Sequence, residues 1–159
     1  MRKFAFRLET ILGNKEALER AVQVELAELQ IAHREATMEL RALSRQQLEQ
    51  LQQMAGQQRQ RSINVPRVAN YAEYLTGIER QIKEQEEVLR QLGEQIGHKR
   101  EELTERMKEK KVLVKLKERQ ESAHLEEVQR SEEQRADEVV ITSLSRSKMS
   151  GGGGMAHDA

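Results

Sequence analysis

Side chains suited to a helix interface recur at alternating steps of four and three over two long stretches of this 159-residue chain, and that rhythm sets what it can fold into. The first stretch carries Val22, Leu26, Leu29, His33, Ala36, Leu40, Leu43, Gln47, Gln50 and Met54. The second carries Tyr71, Leu75, Ile78, Ile82, Gln85, Leu89, Leu92, Ile96, Lys99 and Leu103. A mean spacing of about 3.5 residues keeps one narrow seam turned toward one neighbouring helix, as a coiled coil requires. A helix lying on a globular core needs a wider apolar stripe.

The two seams also predict their partner. If the chain reverses near residues 62–63, residues face each other when their numbers sum to about 125. Val22 then meets Leu103, Leu29 meets Ile96, Ala36 meets Leu89 and Leu43 meets Ile82, while His33 meets Leu92 and Met54 meets Tyr71. The row facing inward on the first stretch is d and on the second is a, the pairing that antiparallel helices make. The expected fold is all-α: a long antiparallel two-helix coiled-coil hairpin with unequal arms and a disordered C-terminal tail. The competing arrangement is a homodimeric coiled coil.

Residues 56–68, GQQRQRSINVPRV, separate the stretches and hold the single proline, Pro66. Proline lacks an N–H and clashes with the preceding turn, so one helix cannot run through Val65; it can open a new one, because first-turn N–H groups have no intrahelical partner. Helix one is predicted over about 8–55, the turn over 56–66 and helix two over 67–142, with a flexible Gly-rich tail over 143–159. At 1.5 Å per residue the arms reach roughly 75 Å and 115 Å. Phe6 pairs near residue 119, so residues 121–142 are expected to project past their partner. Beyond Leu103 the apolar residues Met107, Leu113, Val114, Leu116, Ala123, Leu125 and Val128 fit no single heptad frame, and local unwinding is expected there.

Composition removes other classes. With 36% hydrophobic, 34% charged and 3% aromatic residues and a mean hydropathy of −0.82, the chain has too few bulky side chains for a large compact core. No cysteine is present, which excludes a disulfide framework, a thiol nucleophile and a Cys-ligated zinc, and fits a reducing compartment. Twenty-seven basic and 27 acidic residues cancel, which argues against nucleic-acid binding by bulk charge. No stretch approaches the roughly 18 apolar residues of a membrane span. The expectation is a soluble, cytoplasmic protein.

The search for chemistry is short. Histidines 33, 98, 124 and 157 are scattered, and the hairpin brings no two of them together. His33 lies on the seam and reads as a tolerated polar core position rather than a ligand. The four consecutive glycines at 151–154 have no following helix and no Lys-Ser/Thr, so they are not a phosphate loop. A two-helix rod offers no concave pocket that excludes water. No enzyme, no cofactor and no metal is expected.

Three features stand out instead. Phe4, Phe6, Leu8, Ile11 and Leu12 concentrate apolar surface at one extremity, either as a lid on the hairpin or as a docking surface for a partner. Tyr71, Tyr74, Leu75 and Ile78 gather the remaining aromatics next to the turn; Tyr74 falls beside the seam and is the better contact candidate. Charge is segregated too. Residues 99–119 hold nine basic and five acidic side chains and residues 121–138 hold two basic and seven acidic, which suits either a solvated helix or a charged partner surface.

These residues resemble a known family. Phe4-Ala-Phe-Arg-Leu8-Glu-Thr-Ile-Leu12 is similar to the N-terminal Phe-x-Phe-x-Leu-x-x-(Val/Ile)-Leu signature of the flagellar export protein FliJ family. Asn70-Tyr-Ala-Glu-Tyr74-Leu-Thr-Gly-Ile78 and Lys108-Glu-Lys-Lys-Val-Leu-Val-Lys-Leu116 sit where that family has similar segments. The resemblance covers about residues 1–142. It implies a non-enzymatic component of bacterial flagellar type III export, similar to the central stalk subunit of rotary ATPases. It also implies the partners: the hexameric export ATPase, the cytoplasmic domain of the large export gate protein and export chaperones. Alone the chain would be a monomer, held peripherally at the inner face of the cell membrane at the flagellar base. By the same resemblance the end bearing Phe4, Phe6 and Leu8, with the projecting second helix, would enter the ATPase ring, and Tyr74 and Ile78 would face the gate. Gln81 and Gln85 depart from the family's gate-facing pattern.

Overall fold

A computed structural model describes residues 2–59 and 65–151. Two helices make up the fold: α1, Glu9–Gln58, of 50 residues, and α2, Val65–Ser150, of 86 residues. The described residues contain no strand. The architecture is the expected all-α helical hairpin, with α1 and α2 packed against each other. Two compact units divide it: Lys15–Lys108, and a second made of Met1–Asn14 with Glu109–Ala159.

In the unit Lys15–Lys108 the seams meet as the numbering requires. Val22, Ala36, Ile78 and Ile96 are buried, and every other seam residue from Val22 to Met54 and from Tyr71 to Leu103 is half-buried. Gln85 Nε2 donates to the Ala36 carbonyl at 3.1 Å and to Glu39 Oε2 at 3.3 Å, Lys99 Nζ pairs with the Glu25 carboxylate, and Gln57 Nε2 reaches the Tyr71 hydroxyl at 3.4 Å. Each of these pairs sums to within a few residues of 125, so the register is the antiparallel one. No described side chain is fully buried. Two helices can shield a seam from two sides only, so stability is spread along the interface instead of resting on one nucleus.

Gly93 and Gly97 lie away from the seam, and a Cβ added at either would meet nothing within 4 Å. They are the off-seam positions that the heptad frame makes them.

Polar residues extend the seam where apolar counting loses it. Upstream of Val22, Glu19 is buried and Lys15 is half-buried; Gln23 Nε2 reaches Glu19 Oε1 at 3.5 Å. Downstream of Leu103, the half-buried positions Arg106, Lys110, Leu113, Lys117 and His124 keep the steps of three, four and seven. Off those steps Val114, Leu116 and Val128 are half-buried too, while Met107, Ala123 and Leu125 are exposed, so the apolar residues beyond Leu103 keep no single heptad frame.

The helix ends follow local chemistry. Glu9 N–H donates to the Phe6 carbonyl at 3.1 Å and Leu12 N–H to the Leu8 carbonyl at 2.9 Å, so α1 opens with an acidic residue in its first turn. Pro66 falls in the first turn of α2, where its missing N–H has no consequence. At the other end α2 runs past the expected boundary at 142. Residues 143–150 contain no glycine or proline, and Ser143, Ser145, Ser147 and Ser150 turn their hydroxyls back onto helix carbonyls. The helix stops where glycine begins, with Gly151 N–H donating to the Ser147 carbonyl at 3.1 Å. The rest of the expected tail, residues 152–159, and the middle of the expected turn, residues 60–64, lie outside the described residues.

Candidate interaction surfaces

In the unit Met1–Asn14 with Glu109–Ala159, residues 2–6 form a non-helical strap against α2. The Phe4 ring lies 5.7 Å from that of His124, tilted by 41°. His124 Nε2 stands 3.2 Å from the Arg2 carbonyl; a carbonyl only accepts, so the ring nitrogen donates. Lys117 Nζ holds Glu9 at 2.9 Å from Oε2 and 3.1 Å from Oε1, tying the start of α1 to α2. Of the five apolar residues singled out at this extremity, Phe6 and Leu12 are buried at 8% and 4% exposure, Phe4 and Leu8 are half-buried, and Ile11 is 45% exposed. The strap thus closes over α2, and Ile11 with the edges of Phe4 and Leu8 forms its outer surface.

Beyond the strap no described residue shields α2. Every residue from 129 to 150 is exposed, among them Val139, Val140, Ile141, Leu144 and Met149.

In the unit Lys15–Lys108, Tyr74 is 41% exposed and Ile78 is 3% exposed. The two are one helical turn apart but play different parts. Ile78 fills the seam, whereas Tyr74 stands at its edge with its hydroxyl oxygen accepting a hydrogen bond from Gln46 Nε2. Gln85 is committed to the seam through Ala36 and Glu39. Sequence reasoning missed His124, Gln46 and Gln57 as partners. His124 could have been found from the seven-residue step through Lys110 and Lys117; the two glutamines carry no such signal.

Among the described residues no group of three His, Cys, Asp or Glu side chains could hold a metal ion. No helix of the described chain is long and apolar enough to cross a membrane. Two perturbed ionisable groups form an exposed ion pair: the Arg90 guanidinium, hydrogen-bonded at 2.6 Å to both Glu87 and Glu94, is held above its ordinary range chiefly by its hydrogen bond to Glu87, and Glu87 is held below its own chiefly by that same bond. These are helix-surface pairs, not a reaction centre.

The fold is an all-α helical hairpin. The chain belongs to the flagellar FliJ protein family, whose family model matches residues 4–149. Comparison with curated proteins gave no match. None was found among solved structures either. Family membership gives the chain a flagellar export-related, non-catalytic role.

Proposed function

We propose that this chain is the coupling component of the bacterial flagellar type III export apparatus, contacting the hexameric export ATPase at one extremity and the membrane export gate at the other surface. The strap and the unshielded part of α2 enter the ATPase ring and promote its assembly, with Ile11, Phe4 and Leu8 as contacts and Phe6 and Leu12 holding the strap beneath them. Tyr74 meets the cytoplasmic domain of the gate protein, supported from below by Ile78. Export chaperones are further partners, and the chain acts as a monomer at the inner face of the cell membrane.

The observation that carries this reading is the run of exposed residues from 129 to 150 on a continuous helix. A helix left bare over that length, bearing valine, isoleucine and leucine, has surface to bury in a partner. Its charge suits the same purpose, because residues 121–138 hold seven acidic and two basic side chains, which steer a helix toward a basic collar.

The test is ATP hydrolysis and ring assembly by the purified export ATPase with the full chain or with a chain ending at residue 128. The full chain should raise both and the shortened chain neither. Equal stimulation by the two would remove the bare helix from the mechanism.

A further inference from the structure

A notch of about 310 Å3 near the start of α2 is lined by Gln50, Arg67, Asn70, Tyr71 and Tyr74. Both phenol oxygens already accept a proton: Gln46 Nε2 donates to Tyr74, and Gln57 Nε2 donates to Tyr71 at 3.4 Å. A phenol oxygen that accepts keeps its own O–H for an outside acceptor. Arg67 adds a guanidinium, which only donates, and forms no ion pair among the described residues. The α1 row beside the notch is Gln46, Gln50, Gln53 and Gln57, neutral throughout. The notch therefore presents one positive charge and two phenol O–H donors, beside the Gln50 and Asn70 amides, which both donate and accept.

We propose that this notch receives a carboxylate side chain from an acidic segment of a protein partner, with Arg67 as the ionic contact and the Tyr71 and Tyr74 hydroxyls as further donors. The proposal rests on the assignment of the Tyr74 surface to the export gate, and names the chemistry by which the gate's cytoplasmic domain is recognised there. A carboxylate offers lone pairs to the Arg67 guanidinium and to the two phenol O–H groups. The other acidic candidate is the 121–138 segment of a second copy of this chain. That contact is head-to-tail, does not close on itself, and would build chains of molecules.

The experiment titrates the full chain into the purified cytoplasmic domain of the gate protein by calorimetry. Arg67→Glu is expected to weaken binding at least about tenfold. Arg67→Lys should fall between the two, since it keeps the charge and loses the fork. Tyr71→Phe with Tyr74→Phe keeps both rings and should cost a few-fold. Arg80→Glu makes the same charge change outside the notch and should bind as the wild type. Because Arg67 is exposed, helicity by circular dichroism should be unchanged in every variant. Wild-type binding with Arg67→Glu equal to it, or with Arg67→Glu and Arg80→Glu equally weakened, overturns the notch alone. No binding by the wild type overturns the gate assignment and the notch with it. Concentration-dependent self-association abolished by Arg67→Glu, with gate binding untouched, assigns the notch to a second copy and overturns the proposal.

Discussion

His124 holds the N-terminal strap at two points, its ring 5.7 Å from that of Phe4 and its Nε2 3.2 Å from the Arg2 carbonyl. One half-buried side chain on α2 thereby fixes a segment that has no secondary structure of its own. An aromatic pair of this geometry contributes about 0.5–1.5 kcal/mol beyond its buried area.

Phe4→Ala should release the strap without unfolding the helices. Amide hydrogen exchange over residues 2–8 should quicken, while exchange in the seam from Val22 to Leu43 and total helicity stay as they are. Unchanged exchange in the strap would show that Phe6 and Leu12 hold it alone.

Lys99 bridges the Glu25 carboxylate on α1 and Glu102 on its own helix, the latter at 3.0 Å. Its ammonium is held above the ordinary lysine range, first by the hydrogen bond to Glu25 and then by that to Glu102. A cation whose folded-state pKa is raised adds stability that is complete below the unfolded pKa, about 10.4, and is lost as pH rises through the folded value. Lys99→Met should therefore lower Tm modestly at pH 7, and the difference should shrink as pH climbs past that range. All three side chains are partly exposed, so added salt should also narrow the gap at pH 7. A difference that stays constant to high pH would mean that packing of the lysine stem, not its charge, is what matters.

Ile78 and Tyr74 should separate cleanly. Ile78→Ala empties a seam position and is expected to cost about 2–5 kcal/mol, read as a lower Tm in thermal unfolding. Tyr74→Ala removes an exposed ring and should shift Tm far less, while weakening gate binding and leaving ATPase stimulation intact. Equal thermal losses would place Tyr74 in the fold rather than at a surface.

Gly93→Ala and Gly97→Ala put a methyl group into open space on a helix exterior. Each should stabilise the chain by about 1 kcal/mol, the ordinary gap in helix propensity, and raise Tm accordingly. A fall in Tm at either position would reveal a close neighbour on that face.

The fold was legible because heptad spacing constrains geometry twice, once along each helix and once in how the helices meet. The sum of about 125 that pairs Val22 with Leu103 and Leu29 with Ile96 is matched by Lys99 with Glu25 and Gln85 with Glu39, each summing to 124. What stayed hidden was carried by polar side chains. Lys15, Glu19, Arg106, Lys110, Lys117 and His124 occupy seam positions, yet a pattern read from apolar residues alone discards them. Long amphipathic stems make such positions tolerable near a hairpin's end, where water reaches the charged heads. The glycines at 151–154 predict a flexible tail but not where the helix before them ends: the serine hydroxyls at 143 and 145 bond the preceding turn and the helix continues to Ser150. Of the surface residues, apolar content marked the right neighbourhoods without distinguishing seam from exterior. Phe6, Leu12 and Ile78 are buried, Ile11 and Tyr74 exposed, although Ile11 adjoins Leu12 and Tyr74 lies one turn from Ile78.

Lys99 and Glu25 provide the most direct measurement of the fold-back itself, since a carbodiimide joins an amine to a carboxylate in direct contact without a spacer. An equal mixture of 14N- and 15N-labelled chains, treated with carbodiimide and digested, should yield Lys99–Glu25 crosslinked peptides of uniform isotope only, because one molecule supplies both ends. Peptides carrying one light and one heavy partner in the proportion of random mixing would mean that the helices pair between molecules, and the hairpin would be wrong.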